Sequence, residues 1–131
     1  MPAQTFPAWP GSVPAARRYV TEALDQVPVA LCQTAALLVS ELATNAVRHA
    51  GGGGFVVEFQ LFPDEGRLWI GVTDTDPGLP VLRTPAVTSE HGRGLQLVSA
   101  LTERWGTRRR RSTTEKTVWF ELRYAPLAPP E

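Results

Sequence analysis

Ala16, Tyr19, Val20, Ala23, Leu24 and Val27 repeat every three or four positions, with Arg17, Arg18 and Glu22 between them, the pattern of a helix with one buried side. Ser12 followed by Val13-Pro14 predicts its start, because a serine hydroxyl caps free amides and proline suits a first turn, and Pro28 stops it. Ahead of it, residues 1–13 read as an extended arm or edge strand, rich in proline and closed by Pro10-Gly11. A longer helix is predicted from about Val29 to Ala50, where Leu31, Ala35, Leu38, Leu42 and Ala46 form one apolar stripe and Gly51 to Gly54 can supply a left-handed end. The period then changes from helical to alternating. Phe55, Val57, Phe59 and Leu61, and after the turn Pro63-Asp64-Glu65-Gly66 also Leu68, Ile70 and Val72, predict an antiparallel hairpin over 55–74.

From Asp76 to about Glu90 no period exists and Pro77, Pro80 and Pro85 interrupt any regular element, so the stretch reads as a long loop of functional or mobile character. Leu95, Val98 and Thr102, with Leu97 and Leu101 beside them, restart a helix that ends near Arg104. Trp105 to Arg111 and Thr117 to Tyr124 form a last pair of strands, the second with Val118, Phe120 and Leu122 on one face, before a proline-containing tail over 125–131. Helices gathered on one face of a mostly antiparallel mixed sheet make an α+β fold, a two-layer sandwich, and 131 residues make it one domain over 1–131.

Charge and composition narrow the partners. Thirteen basic residues balance 13 acidic ones, so no global field favours nucleic acid or an anionic membrane, and any such partner needs a local patch. Arg108 to Arg111 is the densest charge, but a run on or beside an exposed strand also serves as a solvated edge that discourages aggregation, and no stacking aromatics interleave it. Neither nucleic acid nor membrane is therefore expected as a direct partner. Cys32 is the only cysteine, which excludes an intrachain disulfide and a cysteine-based zinc site and suits a small buried hydrophobe. No apolar run approaches the roughly 20 residues of a membrane-spanning helix, no secretory leader precedes the arm, and a cytoplasmic location is expected.

Three polar motifs interrupt this apolar framework. In Ser40-Glu41-Leu42-Ala43-Thr44-Asn45-Ala46-Val47-Arg48-His49, residues Glu41, Asn45 and Arg48 fall on one helical face, away from the leucine stripe; a solvated helix face has the same spacing. Asp74 ends an apolar strand just before Thr75-Asp76-Pro77-Gly78, where a carboxylate can accept from an exocyclic amine or simply form a turn. His91-Gly92-Arg93-Gly94-Leu95 sets two glycines directly before a helix, where free amides and the helix dipole favour phosphate.

In this order and spacing the motifs resemble the N-box, G1 box and G2 box of the GHKL ATPases of the Bergerat fold, with the resemblance spanning residues 38–122. The Ser40 to Ala50 motif and the closing Lys116-Thr117-Val118-Trp119-Phe120 look most like the small stand-alone anti-sigma-factor serine/threonine kinases numerous in actinobacteria. The resemblance implies ATP and Mg²⁺ as ligands, Asn45 as the Mg²⁺ ligand, and Glu41 as the carboxylate that orients or deprotonates the attacking hydroxyl. It further implies Arg48 and His49 near the phosphates, Asp74 and Gly78 at the adenine, Gly92, Arg93, Gly94 and Leu95 at the phosphate-binding lid end, and Thr117 near the adenine. The chain departs from the family pattern at Asp76-Pro77, where the first glycine of the G1 box is replaced by a carboxylate followed by a rigid ring.

The function so implied is phosphorylation of a small anti-sigma-antagonist protein. A module that sequesters a sigma factor or other regulator without catalysis, its nucleotide structural or absent, is the alternative. A homodimer is compatible with either. Neither a phosphoacceptor-helix domain nor a transducer domain is visible, so a complete sensor kinase and a gyrase-type machine are not expected.

Overall fold

The computed structural model describes residues 2–49, 53–74, 97–98, 100–110 and 115–125, with the side chain of His49 left aside. Strand β1 (Ala3–Phe6) is followed by helices α1 (Ser12–Ala23) and α2 (Val29–His49), strands β2 (Phe55–Phe62) and β3 (Arg67–Asp74), and strands β4 (Arg104–Arg109) and β5 (Lys116–Arg123). The strands form one sheet in the order β1-β2-β3-β5-β4. Every pairing is antiparallel among the described residues, so the mixed character expected from sequence is absent there.

The predicted hairpin forms as read. Phe55 pairs with Asp74 and Phe62 with Arg67, and the turn between them closes on Gly66, whose φ of +60° is open to glycine at little cost. Helix α1 starts at Ser12 but not by a serine cap. The amides of Ser12 and Val13 donate to the carbonyls of Trp9 and Pro10, so a backbone turn replaces the hydroxyl, and Ser12 itself is buried. The helix ends at Ala23, where the Leu24 amide donates to Val20, and Val27 follows in a turn that still reaches the core. Leu97, Val98, Ala100 and Leu101 are helical, and β4 begins at Arg104, where the sequence had placed the end of that helix.

One core lies between the helices and one face of the sheet. Phe55, Val57, Leu68, Ile70, Val72, Phe120 and Leu122 point to this face by strand alternation, and Ala16, Val20, Leu38, Leu42 and Val98 cover them. The buried side of α2 is wider than the predicted stripe. Val39 and Ala43 are buried as well, because α2 packs both on the sheet and against α1, whereas Leu31 at its outer end is only half-buried. Residues Val29–Arg48 are by length and composition apolar enough to cross a bilayer, with a mean hydropathy of 1.2, which the stripe reading understated. Here the apolar side of that helix is the cover of the sheet.

The opposite face of the sheet carries no helix among the described residues. Trp69 and Trp119 lie on it, each indole folded over a glycine of the sheet, Gly71 and Gly106, where an added Cβ would come within 2.6 and 2.9 Å of the ring. Arg67 on this face is held by Glu65 and Glu121 at 2.8 and 3.1 Å and stacks over Phe62 at 3.9 Å.

Candidate functional site

The connectivity places the α2 motif and Asp74 toward one end of the sandwich. Helix α2 stops at His49, β2 begins six positions later at Phe55, and Phe55 pairs with Asp74, so the last turns of α2 and the last residue of β3 share that end. Alternation along β3 turns Asp74 to the helix side, with Val72 and Ile70, and it is 6% exposed. A carboxylate is seldom buried at the end of an apolar strand without a polar role, because desolvating it is costly.

Glu41 and Asn45 stand one turn apart on α2, both half-buried, and Arg48 one turn further is exposed. Glu41 also borders a groove of about 740 Å³ between α1 and α2, together with Arg17, Leu37, Ser40 and Thr44. Asn45, turned further from α1, does not line it. The hydroxyls of the same motif serve the helix itself. Thr44 donates to the Ser40 carbonyl at 2.7 Å, Ser40 to the Ala36 carbonyl at 2.9 Å, and the Arg17 guanidinium donates to Ser40 Oγ at 2.8 Å, which locks α1 to α2. The carboxylate of Glu41 and the amide of Asn45 are therefore the groups of the motif that can turn to a ligand.

Thr117 is not brought to Asp74. Its hydroxyl shares a hydrogen bond of 2.7 Å with that of Thr73, and both lie on the tryptophan face, on the far side of the sheet from Asp74. The reason is parity, since Val118 and Phe120 point into the core and Thr117 must point out. The residue that stands opposite Asp74 in register is Lys116, the only lysine of the chain, half-buried on the helix side of the sheet. The same alternation, counted back from Phe120, was legible in the sequence and would have selected Lys116. Cys32 is half-buried in the α1–α2 groove and not in the core proper. His49 ends α2, its side chain outside the described residues, and Gly78, Gly92, Arg93, Gly94 and Leu95 also lie outside them.

No group of three or more His, Cys, Asp or Glu that could hold a metal ion by itself occurs among the described residues. The donors present, an amide oxygen at Asn45 and a carboxylate at Glu41, suit a hard cation that takes one or two protein oxygens and fills its remaining positions with phosphate and water. That is the coordination habit of Mg²⁺ with a nucleotide, so these residues fit the group.

Two helices laid on one side of a five-stranded antiparallel sheet, with Asn45, Glu41, Asp74 and Lys116 toward one end, define a two-layer α+β domain of the Bergerat type. Residues 6–122 match the histidine kinase-like ATPase domain, and the chain belongs to that family. Membership implies ATP binding, with Mg²⁺ as the family's general companion. An uncharacterized protein of Streptomyces coelicolor is 41% identical over 75 residues, which are 55% of this chain and 70% of that one. The blue-light activated histidine kinase of Erythrobacter litoralis EL346 superimposes with a TM-score of 0.61 at 24% identity, over 89% of this chain and 40% of the kinase. The histidine kinase domain from the same protein gives 0.52 at 28% identity, over 77% and 46%. The chain thus corresponds to less than half of either kinase structure.

Proposed function

We propose that this chain is a cytoplasmic ATP- and Mg²⁺-dependent protein kinase of the anti-sigma-factor type, transferring the γ-phosphoryl group to a serine or threonine of a small anti-sigma-antagonist protein. The observation that carries the reading is the buried Asp74 at the end of β3, at the same end of the sandwich as Glu41 and Asn45 of α2, in a chain that matches the ATPase family over nearly its whole length. Asp74 accepts a hydrogen bond from the exocyclic amine of adenine, and the apolar wall of Val72 and Phe55 holds the ring. The Asn45 amide oxygen is the group that would hold Mg²⁺, which when bound would supply positive charge against the phosphates. Glu41 orients the acceptor hydroxyl and takes its proton as the new oxygen–phosphorus bond forms and the bond to the β-bridging oxygen breaks, leaving ADP. Arg48 supplies positive charge at the same end of the helix.

Incubation with γ-labelled ATP, Mg²⁺ and candidate anti-sigma-antagonist proteins tests this reading, with label expected on a serine or threonine of one of them. ATP binding without label on any partner, together with stable capture of a sigma factor, supports a sequestering module and removes the word kinase.

A further inference from the structure

On the reading that ATP is the ligand, we propose that Lys116 selects the base, its ammonium donating a hydrogen bond to ring nitrogen N1 of adenine while Asp74 accepts from the adjacent exocyclic amine. Phe6, Phe55, Asp74, Lys116 and Arg109 stand in one row across the sheet, all on its helix side by strand alternation. Burial falls along that row. Phe6 and Phe55 belong to the core, Asp74 is buried, Lys116 is half-buried and Arg109 is exposed, so the row opens to solvent at the lysine.

Directly paired residues on neighbouring antiparallel strands carry their Cβ atoms about 4.5 to 5.5 Å apart, which sets the four-carbon stem of Lys116 within reach of whatever Asp74 holds. The Lys116 ammonium makes no hydrogen bond or ion pair with another described residue, and Arg109 on its other flank repels it toward Asp74. A half-buried ammonium with three donors and no such partner is available to an acceptor on a ligand. Adenine offers a donor at its amine and an acceptor at N1, on adjacent atoms of one edge. A carboxylate accepts and an ammonium donates, so Asp74 and Lys116 match that order. Guanine reverses it, presenting a carbonyl oxygen to the carboxylate and an N–H to the ammonium. A carboxylate alone fixes one of the two positions and leaves the other to water, which both donates and accepts. Thr117, turned to the other side of the sheet, takes no part.

Calorimetric titration of the whole chain with ATP, 1-deaza-ATP and 7-deaza-ATP, each with Mg²⁺, tests this assignment. In 1-deaza-ATP a C–H replaces N1 while the amine and phosphates are kept. The parent should bind it roughly 10- to 150-fold more weakly than ATP, the cost of a lost hydrogen bond to a charged group, and should bind 7-deaza-ATP within a few-fold of ATP. Lys116→Met keeps the apolar stem and removes the donor. It should lose affinity for ATP by the same factor and bind 1-deaza-ATP as the parent does, so the preference for N1 disappears. Parental affinity for 1-deaza-ATP also shows that the variant is folded, and the parent's own preference is read without any variant. A parent indifferent to N1, discrimination against 7-deaza-ATP instead, or a variant that keeps the parental preference would each overturn the role of Lys116. Equal losses for ATP and 1-deaza-ATP in the variant would do so too, assigning the lysine to the phosphate charge or to strand pairing. A parent that binds none of the three nucleotides would remove the ATP reading itself.

Discussion

Asp74→Asn keeps the volume of the side chain and removes the charge that an exocyclic amine would meet. Losing a hydrogen bond to a charged group costs about 1.5 to 3 kcal/mol, so ATP affinity measured by calorimetry should fall roughly 10- to 150-fold. Unchanged affinity on a folded variant would take Asp74 out of the pocket. Asn45→Ala removes the only side-chain amide of the predicted motif, and titrations with and without Mg²⁺ should then differ far less than in the parent. Glu41→Gln separates binding from chemistry. A positioned base contributes about 10²- to 10⁴-fold, so phosphoryl transfer should drop by that factor while ATP affinity stays within a few-fold. Parental turnover in the variant would assign Glu41 to the rim of the α1–α2 groove that it also borders. At this scale the sequence was informative about residue type and spacing. It read Glu41 and Asn45 as one turn apart on α2, and it assigned Thr117 to the adenine, where alternation turns that side chain to the face of the sheet opposite Asp74.

Helix α2 is the element whose orientation the site depends on, and two adjacent leucines report it. Leu38 is fully buried against the sheet and Leu37 is 44% exposed, so the chemistry of the two substitutions to alanine is identical and only the environment differs. Leu38→Ala should destabilise by about 2 to 5 kcal/mol and Leu37→Ala by no more than about 0.5 kcal/mol, read from urea midpoints at constant slope. Comparable losses would mean that α2 is rotated about its axis, and Glu41 and Asn45 with it. The Arg17 to Ser40 hydrogen bond and the alanines on the α1 side of α2 hold that rotation from the second direction. The helix start illustrates why element ends were less legible than element bodies. Ser12 has the composition of a cap, yet carbonyls of Trp9 and Pro10, brought round by a tight turn, satisfy the amides first.

Across the whole molecule, Tyr19 joins three elements and gives the fold a pH dependence. Its ring, on α1, meets Phe6 of β1 and Phe59 of β2 edge-on, with centroids 6.1 and 5.9 Å away. Burial raises its pKa above the ordinary value of 10.0, so the folded chain holds the phenolic proton more tightly than the unfolded chain does. That contribution is fully present below the unfolded pKa and is lost as pH rises through the folded one. Stability should therefore decline above about pH 10, and Tyr19→Phe should decline less over the same window, as measured by denaturant midpoints at stepped pH. The same slope in both proteins would assign the alkaline loss to other groups. What the sequence by itself determined is the set of faces: helical and alternating periods are local properties, so the α2 stripe, the 55–74 hairpin with its turn at Gly66, and the common side of Glu41 and Asn45 follow from neighbours a few positions apart. Which elements meet was decided only by the tertiary structure. The pairing of β3 with β5, and not with β4, sets Lys116 beside Asp74, and the helices cover one face of the sheet while two tryptophans lie on the other. Those contacts join residues some 40 positions apart, and the free energy that selects them is the joint burial of apolar faces, which no local spacing records.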